Sequence, residues 1–112
     1  MRTLAIETAT ASCSVALFEG DNVVDWRHEV VGRGHAERLL PMIADLQNGG
    51  RAEAILVDCG PGSFTGVRVG VAAARALGFG WGAPVLGYHS LALIASIAKT
   101  SDTAVAIEGG HG

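Results

Sequence analysis

The sequence predicts an α/β fold in which one mixed sheet carries helices on its faces. Three short strand-like segments come first, and helix-like and strand-like segments alternate from residue 35 onward. The predicted order is β-β-β-α-β-α-β-α-β. Strands joined by tight turns pair antiparallel, whereas strands separated by a helix join a sheet in parallel. With 112 residues, 49% of them hydrophobic, the chain is one domain or a piece of one and can bury a core.

The first three predicted strands cover residues 4–7, 13–18 and 23–31. A hydroxyl-rich turn over residues 8–12 joins the first two, and Gly20-Asp21 supplies a two-residue hairpin turn before the third. Alternation in the third strand places four side chains on one face: Val24, Trp26, His28 and Val30.

A first helix is predicted over residues 35–47, between the breakers Gly32-Arg33-Gly34 and Asn48-Gly49-Gly50. Pro41 lies inside it and removes one backbone hydrogen bond, so a kink or a short first turn is expected there. The apolar face of this helix consists of Ala36, Leu39, Leu40, Ile43 and Leu46.

The second half of the chain alternates strands and helices. The predicted strands are residues 54–58, 85–88 and 103–108, and the predicted helices are residues 67–77 and 91–99. The glycine-rich stretch 78–84 is predicted to be a loop.

A glycine-rich turn after the fourth strand is the most specific motif of the chain. It reads Gly60, Pro61, Gly62, Ser63, Phe64, Thr65, Gly66, Val67, Arg68. Ser63 and Thr65 are both good helix N-caps, and the free N–H groups of the helix start can hold an anion or a carbonyl oxygen. The turn is not a Walker phosphate loop, because it lacks the closing Lys-Ser/Thr pair. It is not the dinucleotide fingerprint either, because its glycines have a different spacing. From these residues alone, a ligand loop and a plain strand-to-helix turn both stay open.

Charge and cysteine content limit the possible functions. The net charge is −3, the pI is about 5.7 and the lysine at position 99 is the only one, which argues against a free-standing nucleic-acid binder. Cys13 and Cys59 are expected to be two reduced, buried thiols. The chain enters a strand at once without a signal peptide and has no apolar stretch of about 20 residues, so a cytoplasmic protein without membrane contact is expected.

Several stretches resemble one protein family. GPGSFTGVRVG is similar to the glycine motif of the TsaB (YeaZ) family, and four further stretches follow that family in order: LAIETAT with CSVAL, HAERLLP, PVLG and SL. The resemblance spans nearly all 112 residues. It implies the ribonuclease-H-like lobe of the actin-like ATPase fold, and the element order agrees with that lobe. Members of this family have a second, similar lobe, so residues 1–112 are expected to be a single, truncated N-terminal lobe.

The resemblance implies a non-catalytic role in tRNA modification. TsaB-family proteins bind and activate TsaD, which transfers threonylcarbamoyl to an adenosine beside the tRNA anticodon, and they help to recruit the ATPase TsaE. The implied partners are therefore TsaD and TsaE, a homodimer in the absence of TsaD, and tRNA only indirectly through the complex. No cofactor is expected beyond weak binding of ATP or ADP.

Two enzymatic readings remain as alternatives. The family carries an older glycoprotease name (peptidase M22), but the H-x-x-x-H metal motif of TsaD-like members reads here His89 to Leu93, and one imidazole cannot build a metal site alone. Ser63 is not in a nucleophile elbow, so no catalytic residue and no metal ligand is assigned. The second alternative is the nucleotide-binding lobe of an actin-like ATPase, whose phosphate turn would use Glu7, Thr8, Thr10 and Ser12.

Small residues four apart on the second helix suggest a docking face. Gly66, Gly70 and Ala74 let another helix approach closely, and that helix can be the chain's own first helix or belong to a partner. The family resemblance favours a partner. The predicted partner-binding residues are Leu39, Leu40, Ile43, Gly66, Val69, Gly70, Ala73, Ala74 and Leu77. Replacing Gly70 with leucine is then expected to abolish association and leave the lobe folded.

Overall fold

The computed structural model describes residues 1–62 and 64–89, which form one mixed five-stranded sheet with helices packed on one face. The predicted helix 91–99 and strand 103–108 lie outside the described residues. The α/β prediction is confirmed for the rest. The elements are β1 (Arg2–Glu7), β2 (Ser12–Glu19), β3 (Asn22–Val30), α1 (His35–Ala44), a 3-10 turn (Gln47–Gly50), β4 (Ala54–Asp58), α2 (Phe64–Trp81) and β5 (Val85–Tyr88).

The strand order is β3-β2-β1-β4-β5. β1, β2 and β3 form an antiparallel meander, whereas β4 pairs in parallel with β1 and with β5. Each parallel pair is reached through a helix, as parallel connections require. β1 therefore lies in the centre of the sheet, and the carboxyl ends of β1, β4 and β5 meet at one edge.

The hydrophobic core lies between the sheet and the two helices. It joins fully buried strand residues with the inner side of α1 and with Ala74 of α2. The strand residues of this core are Leu4, Ile6, Cys13, Val15, Leu17, Ile55 and Val57. No described element covers the opposite face of the sheet, where Trp26 and Leu86 are 61% and 55% exposed.

α1 ends earlier than predicted, and the predicted apolar face is buried at Leu39, Ile43 and Leu46 but not at Ala36 and Leu40, which are exposed. It stops at Ala44, and a separate 3-10 turn follows in which Asn48 and Gly49 have positive φ values. Leu40 of the predicted apolar face is 51% exposed, because the helix turns His35 and Met42 toward the sheet instead. The buried residues of α1 and the segment after it are His35, Leu39, Met42, Ile43 and Leu46.

α2 is longer than predicted, and the loop prediction for residues 78–81 is wrong. The helix runs through Gly78 and Gly80 to Trp81. Each glycine costs about 1 kcal/mol in a helix, but Gly78 lies where a side chain would meet Val85, and Trp81 packs against the core. Packing therefore outweighs propensity. None of the helices in the described part is long and apolar enough to cross a membrane.

Two smaller differences concern β3 and the cysteines. Val24 does not share the exposed face of Trp26, because the β2–β3 register shifts between Leu17 and Phe18, and Val24 packs against the core.

The thiols of Cys13 and Cys59 are both free, but only Cys13 is buried. Cys59 is exposed, so the prediction of two buried thiols is wrong for Cys59. Burial raises the pKa of Cys13 to about 11.

Candidate functional site

The turn between β1 and β2 and the glycine-rich turn after β4 are packed directly against each other. Thr8 Oγ1 donates a 2.6 Å hydrogen bond to the carbonyl oxygen of Gly66 in the first turn of α2. Any side chain at Gly66 would overlap the carbonyl oxygen of Thr8, and any side chain at Gly62 would overlap that of Ala9. Glycine is needed at both positions because two backbones meet there. We call this contact of residues 8–12 with residues 60–62 and 64–66 the turn junction.

Two carboxyl groups lie beneath the turn junction, one at the end of each neighbouring parallel strand. Glu7 Oε1 accepts a 3.1 Å hydrogen bond from the Ala9 N–H, and Asp58 Oδ1 accepts a 2.8 Å hydrogen bond from the Gly60 N–H. Each carboxyl thus holds the turn that follows its own strand. The neighbouring Asp58 carboxyl favours the protonated form of Glu7 and so raises its pKa.

Burial and the neighbouring acid determine the charge of this pair. Asp58 is fully buried, and burial followed by the hydrogen bond with Asp58 raises the pKa of Glu7 well above its usual value. Tyr88 of β5 donates a 3.2 Å hydrogen bond to Glu7 Oε2. Burial, and then the charge of Glu7, raises the pKa of the Tyr88 phenol, which stays a donor. At neutral pH Glu7 therefore stays mostly protonated.

His35, at the start of α1, fixes the β1–β2 turn from the other side. Its imidazole is 3% exposed, and Nε2 lies 2.7 Å from the carbonyl oxygen of Thr10 and 3.2 Å from that of Ser12. Since both neighbours are acceptors, Nε2 carries the hydrogen. The first turn of α1 is thereby attached to the turn junction.

The residues predicted to hold a nucleotide phosphate are already hydrogen-bonded within the chain. Thr8 binds Gly66, Glu7 binds Ala9 and Tyr88, and Thr10 Oγ1 accepts a 3.1 Å hydrogen bond from the Ser12 N–H. The glycine-rich turn covers the backbone of Thr8 and Ala9. Nucleotide binding at this turn stays a prediction, and these contacts do not favour it.

Comparison with known proteins places the chain in a family. The family model described as TsaD, tRNA N6-adenosine threonylcarbamoyltransferase, matches residues 28–112. The tRNA threonylcarbamoyladenosine biosynthesis protein TsaB of Escherichia coli K12 is 43% identical over 100 residues, or 85% of this chain. The chain belongs to the TsaD family, on its TsaB/YeaZ branch. The YeaZ structure from Pseudomonas aeruginosa agrees, with a TM-score of 0.77 and 40% identity over 90% of this chain.

The chain spans about half the length of its TsaB and YeaZ relatives. It covers 43% of the E. coli protein and 49% of the P. aeruginosa chain. RuvC from T. thermophilus is similar in fold alone, with a TM-score of 0.59 at 15% identity over 88% of this chain and 70% of that chain. The predicted ribonuclease-H-like, actin-like architecture is consistent with these neighbours.

In this TsaB/YeaZ chain, most of the predicted partner-binding residues face inward. Leu39, Ile43, Gly66, Gly70 and Ala74 are buried within the lobe. Of the remaining four, Leu40 is exposed, and three are partly buried against the core: Val69, Ala73 and Leu77. A partner can touch only this second group directly.

The small-residue stripe of α2 meets the chain's own sheet, not another helix. A side chain at Gly70 would overlap Thr8 Oγ1 and lie 3.4 Å from Val57 Cγ2. Leucine does not fit beneath the helix, so we now expect a Gly70→Leu variant to lose stability as well, and such a variant does not isolate partner binding. Partner binding by the outer sides of α1 and α2 stays a prediction.

In its described part, the glycine motif shapes the chain's own strand-to-helix turn. Gly60 has a φ of +98°, which favours glycine, and a cis peptide bond joins it to Pro61. Thr65 is exposed inside the first turn of α2, so it is not the predicted N-cap, and Ser63 lies outside the described residues. Arg68 is exposed on the first turns of α2.

No metal centre is visible within residues 1–62 and 64–89, where no group of three or more His, Cys, Asp or Glu side chains could hold an ion. His89 is exposed, and its Nδ1 lies 3.3 Å from the carbonyl oxygen of Gly60. Leu93, the other position of the compared metal motif, lies outside the described residues.

Sequence reasoning missed three residues that hold the turn junction or the acids beside it: His35, Asp58 and Tyr88. The sequence could have pointed to Asp58, because this acid lies at the end of an apolar strand and before a glycine turn, where buried functional acids are often found. His35 and Tyr88 had none, since their roles depend on which strands and turns become neighbours.

Proposed function

We propose that this chain acts in the biosynthesis of tRNA threonylcarbamoyladenosine as a non-catalytic partner of a TsaD protein. The 43% identity to E. coli TsaB over 85% of the chain carries this proposal. The match to the TsaD family model supports the same pathway. The proposed work takes place in the cytoplasm, and tRNA is reached only through the complex.

A scaffold role fits the chemistry of the turn junction. Glu7, Thr8 and His35 all bind backbone atoms of the chain itself. A general acid, base or nucleophile must reach a reacting atom of the substrate. These side chains instead hold the start of α1 and the start of α2 at a fixed distance from β1, which suits a protein that presents two helices as a rigid surface.

The outer sides of the two helices supply an apolar docking surface for TsaD. Leu40 on α1 is 51% exposed and Phe79 near the end of α2 is 93% exposed. Ala76 and Ala72, one and two turns before Phe79, are exposed as well and leave room for a partner's side chains. Large apolar side chains exposed on neighbouring helices mark interaction surfaces more often than isolated ones do. In the absence of TsaD, a second copy can use the same surface, and TsaE joins the assembled pair.

Light scattering on a sizing column tests the proposal. We expect the protein mixed with its cognate TsaD to elute with the summed mass of the two chains. Leu40→Asp should abolish that peak, because an unpaired carboxylate would be buried at the centre of the contact. Val23→Asp is the matched control, since Val23 is 52% exposed on β3, outside both helices.

Two results would contradict the proposal. Separate elution of the two wild-type proteins would mean that this chain does not bind TsaD. Equal loss of binding in the Leu40 and Val23 variants, with both proteins folded by circular dichroism, would mean that the helices are not the docking surface.

A further inference from the structure

A cleft of about 360 Å³ opens at the end of the sheet opposite the turn junction. It lies where β1 and β4 begin and α2 ends. Its lining consists of Arg2, Arg51, Ala52, Glu53, Trp81 and Gly82. None of these residues belongs to the turn junction or to the proposed docking surface, so the cleft is independent of both.

Arg2 is held in place on one wall of the cleft but is not fully satisfied. Its Nε donates toward Glu19 Oε1 at 3.4 Å, and its backbone N–H donates a 3.0 Å hydrogen bond to Glu53 Oε1. Its Nη1 is buried and has no hydrogen-bond partner. A buried donor without an acceptor costs free energy. Nη2 also has no partner among the described residues and, unlike Nη1, is not buried, so Nη2 is the donor that a ligand in the cleft can reach.

A second guanidinium group lies on the same cleft. Arg51 directly follows the 3-10 turn, and its backbone N–H donates to the Asn48 carbonyl at 3.3 Å, which fixes its position. Among the described residues its guanidinium has no ion-pair partner. Two guanidinium groups can bind one phosphate through several charge-assisted hydrogen bonds.

An aromatic ring and a carboxylate complete the lining. Trp81 is half-buried and packs against the core, so its indole is a fixed wall rather than a mobile side chain. Aromatic rings of this kind bind planar ligand rings by stacking. The Glu53 carboxylate on the rim can accept a hydrogen bond from an amino group.

We propose that this cleft binds a small ligand with a phosphate group and a planar ring, of the size of a nucleoside monophosphate. The two arginines bind the phosphate, Trp81 contacts the ring, and Glu53 accepts from a ring amino group. The volume lies within the range of about 300–1,000 Å³ that small-molecule pockets show. The site differs in place and in residues from the phosphate turn considered at Glu7 to Ser12.

Tryptophan fluorescence tests this proposal with adenosine 5′-monophosphate as the probe. The chain has two tryptophans, so a Trp26→Phe variant leaves Trp81 as the single emitter. We expect a saturable change of its emission on titration, and a Kd at least roughly tenfold lower than that of adenosine or of inorganic phosphate. Calorimetry on the wild-type protein checks that the optical signal reports binding.

Arg51→Ala and Arg33→Ala form a matched pair of variants. Arg51 lines the cleft, whereas Arg33 is exposed in the loop before α1 at the other end of the sheet. We expect Arg51→Ala to weaken nucleotide binding roughly tenfold or more without changing the melting temperature, since its side chain is exposed. Arg33→Ala should bind like the wild type.

Three results would overturn the proposal. The first is no saturable signal at millimolar nucleotide. The second is inorganic phosphate binding as tightly as the nucleotide, which would leave no role for Trp81. The third is equal binding by the Arg51 and Arg33 variants, which would place the ligand elsewhere.

Discussion

Thr8 Oγ1 lies 2.6 Å from the carbonyl oxygen of Gly66, although 58 positions of sequence separate the two residues. The bond joins the first turn of the chain to the first turn of α2. Thr8 is fully buried, so water does not compete for its hydroxyl. This one contact therefore links the β1–β2 turn to α2, the helix between the parallel strands β4 and β5.

Thr8→Val removes that hydroxyl and keeps the shape of the side chain. We expect the free energy of unfolding to fall by about 1 kcal/mol, the net value of one buried hydrogen bond. Urea unfolding followed by circular dichroism measures the change. Thr65→Val is the control, because Thr65 is exposed on α2 and its replacement should stay within about 0.5 kcal/mol. Equal effects at both positions would contradict the role given to Thr8.

Two glycines of α2 should respond in opposite directions to replacement by alanine. At Gly70 the new methyl group would overlap Thr8 Oγ1, and we expect a loss of about 1–3 kcal/mol from overpacking. At Gly80 nothing lies within 4 Å of the new methyl group, so alanine should stabilise the helix by about 0.5–1 kcal/mol. Thermal and urea unfolding of both variants measure the two signs. A stabilised Gly70 variant would mean that α2 does not lie this close to β1.

The raised pKa of Glu7 makes the stability of the fold depend on pH. The folded pKa of Glu7 is raised to about 8 from an ordinary value of 4.5, first by burial and then by Asp58. The protonated carboxyl is therefore preferred in the folded state. The stability that it contributes is complete below about pH 4.5 and is lost as pH rises toward about 8. Urea unfolding at a series of pH values measures this slope.

Glu7→Gln isolates this contribution from the other titrating groups. Glutamine resembles the protonated acid and cannot ionise, so the difference in stability between variant and wild type should grow in favour of the variant between pH 5 and 8. A constant difference across this window would show that Glu7 titrates alike in the folded and unfolded chains.

The two cysteines should react with a thiol reagent at very different rates. Cys59 is exposed, whereas Cys13 is buried with its pKa raised by burial to about 11. We expect one equivalent of thiol to react with Ellman's reagent in the native protein and the second roughly 100-fold or more slowly. A Cys59→Ser variant should lose the fast phase. Two fast thiols in the native protein would contradict the buried position of β2.

The strands were predictable because their sequence signals are local. Residues 54–58 are an apolar run that ends shortly before the glycine-rich turn, residues 85–88 directly follow Pro84, and the structure confirms both ranges. Gly20-Asp21 likewise predicted the β2–β3 hairpin. Turn residues and hydrophobic alternation involve residues that are close together in the chain, so these signals can be read from a single sequence.

The helices show where local signals are not enough. The spacing of Gly66, Gly70 and Ala74 predicted a close contact correctly but could not say with what, and the contact is the chain's own sheet. Propensity alone placed residues 78–81 in a loop. Packing of Gly78 against Val85 and of Trp81 against the core is a tertiary effect that propensity does not contain.

The contacts around the turn junction were harder to predict than the helices, because they depend on the register of the strands. Glu7 was singled out from the sequence, but its acidic neighbour Asp58 is 51 positions away and becomes adjacent only because β1 and β4 pair in parallel with Ile6 opposite Val57. Tyr88 reaches Glu7 for the same reason through β5. A sequence shows which side chains can ionise, and strand pairing decides which of them become neighbours.

The central position of β1 has a consequence during synthesis on the ribosome. β1 and β2 can form a hairpin as soon as both have emerged, but the other edge of β1 pairs with β4, whose first partner is Ala54. Until then an apolar strand edge stays open to other nascent chains, which is the state most prone to aggregation. A truncation or a pause between residues 31 and 54 should therefore lower the soluble yield more than one placed after β4.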